Sequence, residues 1–355
     1  MSPFDLRLLL LVLRLPCMLC NGHSFDKMQD SAWLNEYGQF HQRERFAPNA
    51  QYLIYTCRAS IPGGPRHCLG VGDRFRLIGF MLRVAAAFQR VLLIDWQSPM
   101  PIESFLMPTQ IDWRLNATEQ SRVGHLHVDE WLTHLQSPPR SVRYLRVSGN
   151  APYESFFPGS LNFTASYSTA WKYLFQPSAS LLRAVHKQRT GIFKQKPYIG
   201  IHIRMGDRAP GSAFNPSSVP RRDTRLSHRD AVNIIRCVKV DHAHKSIFMA
   251  TDNAALKAAV KYRMSSGMTG VLENLAFRPA SVFSDVFVQG CTDCMVNPVF
   301  QHDFSNQSVA DIFVELLLLA KSNCFYYLPS NFATLVQAIR GDGACSHMSK
   351  KSCPG

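Results

Sequence analysis

Short, largely apolar runs punctuate the chain at 51–56, 91–96, 198–204, 246–252, 281–288 and 324–328, and several of them end in polar residues. Runs of that length without polar alternation are the pattern of strands buried on both faces of a parallel sheet. Between them lie stretches with helical spacing, at 77–89, 178–189, 227–240, 253–262 and 309–321, and a last one opened by Pro329-Ser330-Asn331-Phe332. Ser227 followed by Asp230 resembles a capping box at the start of one of them. In the first half, a strand, a glycine-bearing turn at 68–76, a helix and a strand make one βαβ unit. The same alternation returns after the helix at 178–189, which reads as a link between two halves. Alternating strands and helices predict an α/β fold with parallel sheets and right-handed crossovers. The middle, 99–159, carries prolines and no steady period, and gives only one strand, at 143–147. No tandem repeat or low-complexity tract is present, and the tail beyond Gly341 reads as irregular.

The run at 198–204 carries the clearest chemistry. It stops abruptly in His202 and Arg204, with Gly206 and Asp207 just beyond. Polar groups at the carboxyl end of such a strand sit where open α/β sheets bind ligands. With a side-chain period of two, Gly200, His202 and Arg204 share one face, so imidazole and guanidinium can converge on one ligand. A guanidinium suits a pyrophosphate: its fork donates two parallel hydrogen bonds and its charge is not titrated away. The alternative is an ordinary strand whose charged end meets water.

The length of 355 residues suits two domains, and 46% hydrophobic with 18% charged residues describes a globular chain with ample core material. A formal charge of +14, from 39 basic against 25 acidic residues, favours anionic partners. The densest basic piece, Arg221-Arg222 to Arg229, is short, so nucleic acid is not an expected partner. The apolar segments 8–13 and 15–19, interrupted by Arg14, are too short for a spanning helix. Residues 1–22 read instead as a signal peptide or weak signal anchor, leaving the protein at most membrane-associated through its amino terminus. The sequons at Asn116, Asn162 and Asn306 agree with a secretory route. Of ten cysteines, Cys17 and Cys20 fall in that leader; the remaining eight are an even number for an oxidising compartment. The Cys291–Cys294 pair lacks the second ligand pair of a zinc site and reads as a disulfide or as unpaired thiols.

Four segments occur in order: the loop Gly70-Val-Gly72-Asp73-Arg74, His202-Ile-Arg204-Met-Gly-Asp207, Thr251-Asp252, and Ser330-Asn331-Phe332. Together they resemble the fucosyltransferase superfamily that includes the protein O-fucosyltransferases and the α1,2- and α1,6-fucosyltransferases, over about residues 50–340. The resemblance implies a GT-B-like architecture of two facing Rossmann-type domains. The first, at 23–190, would serve the acceptor and the second, at 191–341, would bind the GDP-sugar, with an irregular tail at 342–355. It implies inverting transfer of fucose from GDP-fucose to a hydroxyl of a glycan or glycoprotein, without a cofactor or catalytic metal. The chain has no Asp-x-Asp, the metal–nucleotide signature of the other glycosyltransferase architecture. The expected compartment is the Golgi or endoplasmic reticulum lumen, with secretion as the alternative.

Carried over residue by residue, the resemblance makes Arg204 the group that binds the donor pyrophosphate and stabilises its departure. His202, Asp207 and Asp252 would lie near the donor, with Asp252 accepting from the guanine edge. Ser330, Asn331 and Phe332, at a helix amino terminus, would offer backbone donors to a phosphate. Gly70, Gly72 and Arg74 would face the donor from the first domain, and Asp73 would contact or deprotonate the acceptor hydroxyl. Met205 stands where several relatives carry a second arginine, on the strand face opposite Arg204. Structural alternatives accompany each role. The glycines at 70 and 72 would serve a positive φ, Asp73 and Asp252 would only cap helices, and Asp95-Trp96 would be structural. The functional alternatives are a GT-B transferase for another nucleotide sugar and a secreted binding protein that kept the fold without turnover.

Overall fold

The computed structural model describes residues 32–58, 70–116, 142–148, 163–204, 228–242, 245–251, 256, 286–288, 306–341 and 346–347. The first half contains α1 (Ala32–Glu44), β1 (Tyr52–Cys57), α2 (Val71–Ala87), β2 (Val91–Trp96), β3 (Leu106–Pro108), β4 (Tyr144–Val147), α3 (Phe163–Leu174), β5 (Phe175–Pro177) and α4 (Ala179–Phe193). The second contains β6 (Tyr198–Ile203), α5 (His228–Asp241), β7 (Ser246–Thr251), β8 (Val286–Val288), α6 (Asn306–Ala320), β9 (Cys324–Tyr327), α7 (Asn331–Arg340) and β10 (Ser346–His347).

The strands form two parallel sheets, ordered β2-β1-β4 and β10-β9-β6-β7-β8, and one antiparallel ribbon of β3 with β5. Every residue of β1, β2 and β6 is buried, as continuous apolar runs covered on both faces require. Alternation of side chains then divides the interior. Leu53, Tyr55, Ile94 and Trp96 of the first sheet, and Tyr198, Phe248 and Phe325 of the second, enter one large core with α2, α3, α6 and α7. The opposite face of β6 and β7, with Ile199, Ile201, Ile247 and Met249, packs on Ala231, Ile234, Ile235 and Val238 of α5. The large core is therefore shared between the halves, and α7 lies against α2 and α3 of the first.

Asp95, at the end of β2 and wholly buried, is held by Arg58 at 2.5 Å and Arg146 at 3.3 Å. Such partners offset the desolvation of a buried carboxylate, and Asp95 thereby ties the end of β2 to Arg146 of β4. Cys57, Cys237 and Cys324 are disulfide-bonded.

Strands β1, β2, β4, β6, β7 and β9 fall on the runs that predict them, whereas β3 and β5 have no counterpart in the pattern, and the helices depart from it at α1, α2 and α3. α2 begins at Val71 rather than 77, so the glycine-bearing turn is already helix. α3 has no strong helical signature, being rich in Ser, Thr and aromatic residues. It forms because Tyr167, Ala170, Trp171 and Leu174 bury in the shared core. The segment expected to link the halves is α4, which starts at the Ser178 N-cap, where Leu181 N–H donates to Ser178 Oγ at 3.3 Å, and runs to Phe193. The tail is not wholly irregular, since Ser346–His347 adds a strand beside β9. Ser227 and the helix expected at 253–262, apart from Leu256, lie outside the described residues.

Candidate donor-binding and catalytic site

Strand β6 carries His202 one residue before its end, and Arg204 follows just past it. The imidazole is buried, its ring 5.1 Å from that of Phe332 and its Nδ1 3.5 Å from Ser330 Oγ. Arg204, on the same face by strand alternation, is half-buried. Ser330 is the N-cap of α7: its backbone is extended, and Ala333 N–H donates to its Oγ at 3.0 Å. The amino terminus of α7 is thus fixed beside the carboxyl end of β6.

The first turn of α2 reaches the same place from the other half of the chain. Gly70 is its N-cap, with φ of −67°, and no side chain caps this end. Neither Gly70 nor Gly72 is needed for a positive φ. Gly72 is needed for space: a Cβ there would fall 2.5 Å from Phe332 N and 2.6 Å from the Asn331 carbonyl oxygen. Two helix amino termini therefore touch backbone to backbone, and both carry partial positive charge toward a common region.

Asp73 lies in the first turn of α2 rather than at its N-cap, which removes the capping alternative. Its Oδ1 accepts a hydrogen bond from the Asn331 side-chain amide. The Asn331 Oδ1 in turn accepts from Arg76 Nη1 at 3.3 Å. Beneath them the buried Tyr167 hydroxyl donates to the Gly72 carbonyl at 2.9 Å. Burial, reinforced by the nearby Asp73 carboxylate, pushes the Tyr167 phenol well above its ordinary range, so it stays a neutral donor. Burial lowers the Arg76 pKa, while Asp73 opposes that shift; the guanidinium remains charged.

The structure therefore brings together Gly70, Gly72, Asp73, His202, Ser330, Asn331 and Phe332, with Arg204 at the strand end beside them. Arg74 goes elsewhere. It points into the first half, where its Nη1 donates to the Ser98 carbonyl at 2.6 Å and its guanidinium lies 4.6 Å over the Trp96 ring. At 1% exposure it is a packing group, turned about 100° around α2 from Asp73, not one that faces the donor. The reason is helical: the segment read as a loop is a helix, and adjacent residues on a helix face different directions. Asp207 and Asp252 lie outside the described residues. Arg76 and Tyr167 were not singled out from sequence. The spacing of three between Asp73 and Arg76 is a usable signal once the helix is known to start at Val71; nothing local marks Tyr167. Among the described residues no group of three His, Cys, Asp or Glu side chains could hold a metal ion.

No family model and no curated protein matches the sequence. Solved structures do match. An arginine-to-lysine mutant of Arabidopsis thaliana FUT1 in complex with GDP is 13% identical, with a TM-score of 0.54 over 86% of this chain and 76% of that one. This chain has a fucosyltransferase-like GT-B fold. NodZ α1,6-fucosyltransferase soaked with GDP-fucose, an enzyme crystallised from Bradyrhizobium, is 13% identical with a TM-score of 0.48, covering 81% of this chain and 92% of that one. POFUT1 in complex with GDP-fucose is 12% identical with a TM-score of 0.47, covering 86% and 97%.

Proposed function

We propose that this protein is an inverting, metal-independent fucosyltransferase that uses GDP-fucose and a glycan or glycoprotein hydroxyl. The observation that carries the reading is the meeting of two helix amino termini, one bearing Asp73 and the other seated beside His202 and the end of β6. A fold shared with GDP-bound FUT1 supports it. The acceptor oxygen attacks the anomeric carbon from the face opposite GDP. The sugar–oxygen bond breaks with its electron pair moving to the β-phosphate, and Asp73 takes the acceptor proton. Negative charge grows on the diphosphate as that bond breaks, so the Arg204 guanidinium and the backbone donors of α7 contribute more in the transition state than in the ground state.

The donor assignment has a direct test. GDP should bind with micromolar-range affinity, about 8 kcal/mol, with EDTA present, and UDP much more weakly. Calorimetry decides it; equal binding of both nucleotides, or a need for metal, would remove GDP-fucose as donor and favour another nucleotide sugar.

We also propose that the enzyme works in the secretory lumen. The disulfides at Cys57, Cys237 and Cys324 and the exposed sequon residue Asn116 support this. Among the described residues no helix is long and apolar enough to cross a membrane. Expressed through a eukaryotic secretory system, the protein should shift in gel mobility on glycosidase treatment. A full-length product without glycan would count against luminal residence.

A further inference from the structure

We infer that Asn331 and Arg76 form a clamp that positions the Asp73 carboxylate, which makes Asn331 a positioning residue rather than a ligand of the donor phosphates. The inference rests on the role of Asp73 as general base proposed above. A side-chain amide has one accepting oxygen and one donating nitrogen, and here both are engaged. The nitrogen donates to Asp73 Oδ1, and the oxygen accepts from Arg76 Nη1 at 3.3 Å. Turning the amide over would set its oxygen against a carboxylate and its NH2 against a guanidinium, so the partners themselves fix its orientation.

Guanidinium, amide and carboxylate thus alternate donor and acceptor across the seam between α2 and α7. Asp73 and Arg76 stand three apart on α2 and so share a helix face, while Asn331 is the first residue of α7. Gly72 lets the two backbones meet and the Tyr167 hydroxyl ties down the Gly72 carbonyl, so widening the seam would break the chain of bonds. An unheld aspartate would sample several rotamers. With Oδ1 committed to Asn331, the second carboxylate oxygen has no hydrogen-bond partner among the described residues and is left for the acceptor hydroxyl. The base and Arg76 come from the first half of the chain, and Asn331 from the helix that begins beside His202. Alignment of the base therefore depends on the helix that completes the donor side.

The test compares Asn331→Ala, Arg76→Gln, Asp73→Asn and the two double variants with Asp73→Asn. GDP affinity is measured by calorimetry, and turnover as GDP release from GDP-fucose, with water and with a glycopeptide pool as acceptor. Asn331→Ala should lower kcat about tenfold, as for loss of a hydrogen bond to a charged group, and leave GDP affinity and the KM for GDP-fucose within about twofold. Arg76→Gln, which leaves α7 untouched, should show a smaller loss of the same kind. In the Asp73→Asn background neither substitution should lower kcat further, because both act through the carboxylate. A loss of GDP affinity at unchanged kcat would make Asn331 a donor ligand and overturn the clamp, as would additive losses in the double variants. If Asp73→Asn collapses turnover while Asn331→Ala and Arg76→Gln do not, the clamp alone falls. If Asp73→Asn turns over at the wild-type rate, the general-base reading falls and takes the clamp with it.

Discussion

Arg204→Lys should lower GDP release from GDP-fucose by about a hundredfold or more, roughly 2.7 kcal/mol of transition-state stabilisation. Lysine keeps the positive charge, so the loss isolates the bidentate fork, which a compact ammonium cannot reproduce on a diphosphate. In the proposed role the effect should fall more on kcat than on GDP affinity, because the charge that Arg204 would meet is larger once the sugar–oxygen bond has begun to break. Arg204 lies beyond the end of β6 and is only half-buried, so the thermal unfolding midpoint should barely move. Steady-state kinetics, GDP calorimetry and a melt on the same preparation separate these effects. A lysine variant with wild-type kcat would place the leaving-group contact on another residue.

Gly72→Ala should be among the most destabilising single-methyl changes available in this chain. In an ordinary helix interior alanine is favoured over glycine by up to about 1 kcal/mol. At Gly72 the new Cβ would instead strike the backbone of Asn331 and Phe332, which has no rotamer to change. Overpacking of this kind costs about 1–3 kcal/mol, and a collision with backbone belongs at the upper end. The seam between α2 and α7 must open to accept it, so Asn331 loses Asp73 and turnover falls with stability. Gly191→Ala is the matching control. It lies in α4, where nothing stands within 4 Å of the Cβ that alanine would add, and the same methyl should stabilise by about 0.5–1 kcal/mol. Paired melts of the two variants decide the matter; equal and neutral effects would mean that α2 and α7 do not meet as described.

The two substitutions also show what could and could not be read from the residues in order. The strands were legible because a buried parallel strand announces itself in a few consecutive positions: β1, β2, β6, β7 and β9 fall on the apolar runs that predict them. The amino terminus of α7 was legible too, since Ser330 caps it through a bond to Ala333 only three residues away. α3 and the β3–β5 ribbon were not. The ribbon pairs Leu106 with Pro177, and α3 is helical mainly through what it packs against.

Sequence by itself therefore determined the α/β class, the parallel sheets, and a strand end that carries His202 and Arg204. Each depends on interactions local to a few residues, whose period survives in the linear order. Only the tertiary structure decided which polar residues meet. It turned Arg74 inward against Ser98 and Trp96, gave Gly72 a steric reason rather than a torsional one, and bound Asp73 and Arg76 to Asn331. Those two bonds join residues 258 and 255 positions apart in the chain. No local period encodes such a contact; it arises when two helix amino termini are packed into one seam by a core that both halves share.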